Sequence, residues 1–211
     1  MTLDRVFAYV DGFNLYHGML DARLHNARWL DLRAMCEGLP RPHQRLGLVR
    51  YFTARVRDDA AAAENQAVFV DALLAQGGVE IEFGHFLATS VKCRKCGFLR
   101  TRIEEKRTDV NMAVRLLEDA FDDRFDLAIV ISADGVLVAP IEAVRRRFPD
   151  KQVMVAFPPQ RRSAQLRRAA NAAFHLSGPT IRSSRLPDPV LTPSGVELRA
   201  PRGWLPKPRN D

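Results

Sequence analysis

Three short runs of nearly unbroken apolar residues constrain this chain most: Val6–Val10 (VFAYV), Asp126–Ser132 (DLAIVIS) and Gln152–Phe157 (QVMVAF). Each has the length of a strand and lacks the alternation of a strand with one wet face. Runs of this kind read as strands buried on both sides, the signature of a parallel sheet covered by helices. Two further strands are expected at Leu46–Thr53 and, with an alternating pattern, at Val79–Leu87.

Helical segments fall between them. Phe13–Leu24, about Leu30–Gly38 and Asp58–Gln76 are expected as helices, the last opened by paired aspartates and stopped by Gly77-Gly78. Thr108–Phe121 carries apolar residues at a helical period, with Thr108 as its expected N-cap. Leu137–Phe148 has Pro140 near its start, where a first turn tolerates it, and Ser163–Leu176 reads as a basic amphipathic helix. Thr180–Arg182 is expected as a last short strand. Strands alternating with helices predict a single α/β domain over residues 1–186, a doubly wound and mostly parallel sheet flanked by helices. Residues 88–107 interrupt it as a less regular insertion containing Cys93 and Cys96. From Pro187 the composition shifts to six prolines among Arg, Lys and Ser, so 187–211 is expected to be a disordered, basic tail.

Composition narrows the classes. With 46% apolar residues in 211, the chain can bury one sizeable core. It has no apolar run of about 18 residues, so no membrane partner is expected. Its opening residues lack a secretory pattern, and three cysteines are too few for a disulfide framework, which together suggest a cytoplasmic location. Lys and Arg total 32 against 25 acidic residues, a formal charge of +7. Arginine-rich surfaces suit phosphate, so RNA is a natural partner for such a chain, although charge alone does not require it.

The chemistry is expected where strands end. Asp11 follows the first strand, Asp134 follows Asp126–Ser132, and Asp109 opens a helix. In open α/β sheets, strand ends near a reversal of strand order form the binding crevice. Carboxylates gathered there repel one another unless a cation neutralises them, and oxygen-only ligation suits Mg²⁺ or Mn²⁺. Each aspartate singly is also an ordinary turn or N-cap residue; the three together favour a metal site. Arg161 and Arg162, beside the helix after the last main strand, are candidates to hold substrate phosphates, or else a solvated basic face. Tyr9, Phe13 and Tyr16 read as core residues, with Tyr16 able to reach the crevice. Cys93-x-x-Cys96 has the spacing of half a Zn²⁺ knuckle. Cys36 and His85 would complete it within the chain, a homo-oligomer would complete it between chains, and a reduced pair without metal is the third reading.

The segments YVDGFNLYHG (9–18), KRTDVNMAVRLLEDAF (106–121), DLAIVISADGVL (126–137) and VAFPPQRRSAQLRRAA (155–170) resemble the NYN domain family, PIN-like proteins of the LabA/DUF88 group. The resemblance spans about residues 4–186. It implies a metal-dependent endoribonuclease in which Asp11, Asp109 and Asp134 hold the metal. By the same resemblance Asn14 positions substrate or water, Ser132 supports the end of its strand, and Asn111 contributes beside Asp109. One departure stands out. The family pattern S-G-D-S-D-L appears here as Ser132-Ala133-Asp134-Gly135-Val136-Leu137, and the valine removes a carboxylate. The alternative is therefore a weakened or inactive NYN protein that binds RNA as a regulatory module.

Overall fold

The apolar runs become the middle of a six-stranded sheet. The computed structural model describes residues 3–57, 59–92, 98–106 and 108–206, with the backbone alone in 85–92 and 99–106. The first half contains β1 (Asp4–Asp11), α1 (Gly12–Asp21), α2 (Leu32–Glu37), β2 (Gln44–Thr53), α3 (Ala60–Gln76) and β3 (Val79–Phe83). A hairpin of β4 (His85–Lys92) and β5 (Leu99–Lys106) follows. The second half contains α4 (Thr108–Phe121), β6 (Leu127–Ile131), α5 (Val138–Arg147), β7 (Gln152–Phe157), α6 (Ala164–Ala169) and β8 (Ala172–His175). The chain continues through α7 (Gly178–Ser183) into a small hairpin, β9 (Val190–Leu191) and β10 (Glu197–Leu198).

Strand order is β3-β2-β1-β6-β7-β8, with every neighbouring pair parallel. Order reverses between β1 and β6, so the chain leaves these two central strands in opposite directions and opens a crevice at their C-terminal ends. The period of two along each strand sorts the core. Val6, Ala8 and Val10 pack with α1, α2 and α3, whereas Phe7 and Tyr9 pack with α4, α5 and α6. On β6, Ile129 and Ile131 share the first face and Ala128 and Val130 the second. Asp11 and Ser132, next in each series, therefore turn to the α4 face.

That face also carries a buried ion cluster. Arg50 on β2 donates through Nε and Nη2 to the two oxygens of Asp119 on α4, at 2.9 and 3.0 Å. The Tyr9 hydroxyl donates to the same carboxylate at 2.7 Å, and Arg124 adds a bond at 3.1 Å. Glu80 and Glu82 on β3 pair with the outer side of Arg50. Every member is satisfied, as buried charge requires, and the cluster fastens α4 across β1, β2 and β3.

The structure corrects several expectations. The helix expected over 163–176 stops at Ala169, because Asn171 clamps the edge of β7: its N–H donates to Val153 O at 2.8 Å and its Oδ1 accepts Val153 N–H at 2.9 Å. The chain then continues as β8. Thr180–Arg182 lies in a helix, α7, capped by Ser177 with Pro179 in its first turn. The strand expected to run to Leu87 ends at Phe83, and most of 88–107 forms the antiparallel hairpin β4–β5. Thr108 is the first residue of α4 itself.

The tail is the largest correction. Residues 187–206 are ordered against α3. The Trp29 indole donates to Pro187 O at 2.8 Å, and Leu186, Val190 and Trp204 are buried. Trp204 packs edge-on to Phe69 at 5.8 Å under the guanidinium of Arg28. Prolines suit an extended strap whose apolar anchors, and not its secondary structure, hold it in place. Among the described residues, no helix is long and apolar enough to cross a membrane.

The ion cluster yields a stability prediction. Asp119→Ala strands Arg50 without its main counter-charge and should cost about 3–5 kcal/mol in urea unfolding. A loss below about 1 kcal/mol would show that the cluster does not hold α4.

Candidate active site

Asp11 is the last residue of β1 and the N-cap of α1. Its Oδ1 accepts the Asn14 N–H at 2.9 Å, as the Asp31 and Asp59 carboxylates do for α2 and α3. Asp11 is only 4% exposed, because its Oδ2 is turned into the seam between β1 and β6, where it accepts the Ser132 hydroxyl at 2.8 Å. The Ser132 oxygen also accepts the Asp134 N–H at 3.0 Å. One buried hydroxyl thus links the two aspartates.

Asn14 completes the seam. Its Oδ1 accepts the Ala133 N–H at 3.2 Å, tying the first turn of α1 to the chain leaving β6. Asp134 caps the 3₁₀ turn Gly135–Leu137, its Oδ1 accepting the Val136 N–H at 3.0 Å. Position 136 therefore supplies its backbone to the turn, and the Val136 side chain stands 56% exposed at the lip.

The electrostatics set this site apart from the Asp119 cluster. Burial raises the Asp11 carboxyl pKa above its ordinary value; bonds from Asn14 and Ser132 lower it in part, and the Asp134 charge raises it again. Among the described residues, no basic side chain forms an ion pair with Asp11 or Asp134. Asp109 stands half-buried in the first turn of α4, with Asn111 beyond it. Among the described residues, no three His, Cys, Asp or Glu side chains come close enough to hold a metal ion. The structure thus joins Asp11, Asn14, Ser132 and Asp134, and does not draw Asp109 into one compact group with them. Two carboxylates and a carboxamide are hard oxygen donors, here without an ion-paired basic side chain among the described residues, the donor chemistry that Mg²⁺ or Mn²⁺ prefers.

The two arginines differ. Arg161 donates to Asp21 on α1 at 2.7 Å, and its stem crosses Gly18, where an added Cβ would lie 2.7 Å from Pro159 O. Arg162 is exposed and forms no ion pair among the described residues. Cys93 and Cys96 lie outside the described residues. Cys36, one candidate to complete their site, is a core residue on α2, its thiol pushed up to about 12 by burial.

A cavity of about 340 Å³ opens beside the seam, on the other face of the sheet between α1 and α3. It begins at Gly12 and is walled by Phe13, Tyr51, Phe69 and Trp204, with Asn65 and Gln66 on the α3 side. Tyr16, expected in the core, is 38% exposed and lines this cavity. Sequence reading misses the cavity because Trp204 arrives from a segment expected to be disordered.

Comparison with known proteins agrees with this geometry at the level of fold. The chain is 25% identical to 6-hydroxy-3-succinoylpyridine 3-monooxygenase HspA of Pseudomonas putida, over 97% of this chain and 76% of that protein. A crystallised protein of unknown function from Vibrio parahaemolyticus superposes with a TM-score of 0.56 at 18% identity, covering 84% of this chain and 95% of the other. The NYN domain model matches residues 5–177, a stretch that takes in β1, the seam and the sheet as far as β8. The chain belongs to the NYN domain family, within the PIN-like nuclease group.

Proposed function

We propose that this protein is a metal-dependent endoribonuclease whose reaction centre is the β1/β6 seam. One observation carries the reading: a buried carboxylate, Asp11, is held beside a second, Asp134, without a basic partner among the described residues. Asp119, buried to a similar degree, is paired with two arginines, whereas the buried N-cap Asp31 forms no ion pair among the described residues either; what sets Asp11 apart is the second carboxylate beside it.

Mg²⁺ or Mn²⁺ bound there would neutralise charge on a phosphodiester and favour attack by water. The protein's part is positional. Ser132 and the Asn14 N–H fix the two oxygens of Asp11, and Asn14 bridges to Ala133 and keeps both strand ends in register. Asp109 and Asn111 would approach from the start of α4 once metal and RNA are bound. Arg162, exposed and without an ion pair among the described residues, would meet a neighbouring phosphate, whereas Arg161 is already committed to Asp21.

A second reading rests on the relative's name together with the cavity: oxygenation of a small hydroxylated pyridine acid. RNA cleavage by this chain, lost with the seam carboxylates, separates the two.

Labelled mixed-sequence single-stranded RNA should be cut with Mn²⁺ or Mg²⁺ and not in EDTA. Asp11→Asn or Asp134→Asn should slow cleavage about a hundredfold or more, because each removes charge from the metal site. Wild-type rates in either variant would sink the assignment. RNA binding that weakens with salt, without any cleavage, would instead favour an inactive binding module. Val136→Asp places a third carboxylate at the lip and should raise the Mn²⁺-dependent rate; an unchanged rate would show that the side chain at 136 does not limit the chemistry.

Asp11→Asn also separates chemistry from folding. A carboxyl whose folded pKa is raised keeps its proton to higher pH than in the unfolded chain. Stability is therefore lost as pH climbs from 3.8 through the raised value. The asparagine keeps the N-cap and removes this loss. In EDTA its Tm should match the wild type at acid pH and exceed it at neutral pH; a Tm gap that shrinks as pH rises would contradict the burial argument.

A further inference from the structure

We propose that the cavity beside the seam is a base subsite, which takes one unstacked nucleobase of the RNA strand whose phosphate lies at Asp11 and Asp134. The inference rests on the nuclease reading for its substrate and on different residues for its evidence.

Position comes first. Gly12 follows Asp11 directly and lines the cavity. An added Cβ at Gly12 would lie 2.7 Å from the Tyr51 ring and 2.8 Å from Phe52 O, so Gly12 packs tightly against the cavity wall at the sheet edge where Asp11 ends β1. A strand crossing the seam thus passes the cavity within one residue of the protein chain.

The lining chemistry selects the ligand. Aromatic rings make up much of the wall, and bases bind proteins by stacking on such rings in a sequence-tolerant way. The polar groups are unequal. The Gln66 carboxamide is used within the protein, donating to Ala54 O and Thr53 and accepting the Val56 N–H. The neighbouring Asn65 carboxamide lines the cavity and makes no hydrogen bond among the described residues. A purely apolar ligand would leave that donor and acceptor idle, whereas the edge of a heterocyclic base uses both. The volume suits a single ring system with its sugar edge, at the lower end of the roughly 300–1,000 Å³ of ligand sites. The net charge of +7 favours a polyanion over an isolated neutral heterocycle.

The cavity wall provides its own signal, because Trp204 faces it while Trp29 is fully buried. The full-length protein in EDTA would be titrated with each nucleoside 5′-monophosphate while tryptophan emission is followed. A saturable change is expected, with ribose 5-phosphate and inorganic phosphate giving none. Tyr16→Ala should weaken it about tenfold, as loss of one stacking ring does. Asn65→Ala should change the ranking of the four bases, and neither variant should lower the Tm, since both side chains are accessible. With Mn²⁺, an abasic nucleotide next to the scissile phosphate should slow cleavage, and one placed farther away should not.

A response equal with ribose 5-phosphate, no response to any nucleotide, or saturation by a small hydroxypyridine acid alone would overturn the base subsite. RNA cut at full rate with no nucleotide response leaves the nuclease standing and removes the subsite. Nucleotide binding without cleavage by the wild type supports the subsite and removes the nuclease.

Discussion

A carboxylate held out of water between two parallel strands is the constraint on which the rest of this structure turns. Asp11 ends β1 on the same face as Tyr9, and Ser132 ends the run of β6 on the matching face, so the two meet across the seam at 2.8 Å. Strand order reverses at this seam, and the crevice opens there because helices depart to both sides of the sheet. The N-cap bond to Asn14, the Asn14 bridge to Ala133 and the turn after Asp134 all converge on the same few ångströms. Fold and candidate chemistry share one set of hydrogen bonds.

The contrast between two buried carboxylates gives the functional reading its force. Asp119 is matched by a bidentate arginine, a second arginine and a phenol, and it anchors α4. Asp11 has comparable burial, receives one N–H and one hydroxyl, and faces another carboxylate. Burying charge without a partner is costly, and the two neighbouring carboxylates at the seam, which form no ion pair among the described residues where Asp119 has two arginines, are the basis of the proposed cation site. The same reasoning lowers the weight of Arg161, which is tied to Asp21, and raises that of Arg162.

Much of this was legible in the sequence, for identifiable reasons. Uninterrupted apolar runs marked β1, β6 and β7 because strands buried on both faces need no polar alternation. Asp11 and Asp134 were legible because each follows such a run. Other features depended on partners far along the chain. Nothing local shows that Asn171 will clamp Val153 and turn a helical pattern into β8. Arg50 and Asp119 lie 69 residues apart and become a pair only once α4 crosses the sheet. The proline-rich tail looked unable to order itself; its anchors Val190 and Trp204 pack into the core beside Phe69, and the Trp29 indole holds Pro187 O. Valine at 136 read as a lost ligand, and the structure adds that its backbone N–H is used to cap the turn by Asp134.

The most direct test is calorimetric titration of Mn²⁺ into the metal-free protein, beside Asp11→Asn and, as a control at a structural carboxylate, Asp31→Asn. Saturable binding to the wild type and the Asp31 variant, with loss in Asp11→Asn, is the expected result. Equal Mn²⁺ affinity in all three, or none in any, would contradict the assignment of the buried seam as a cation site.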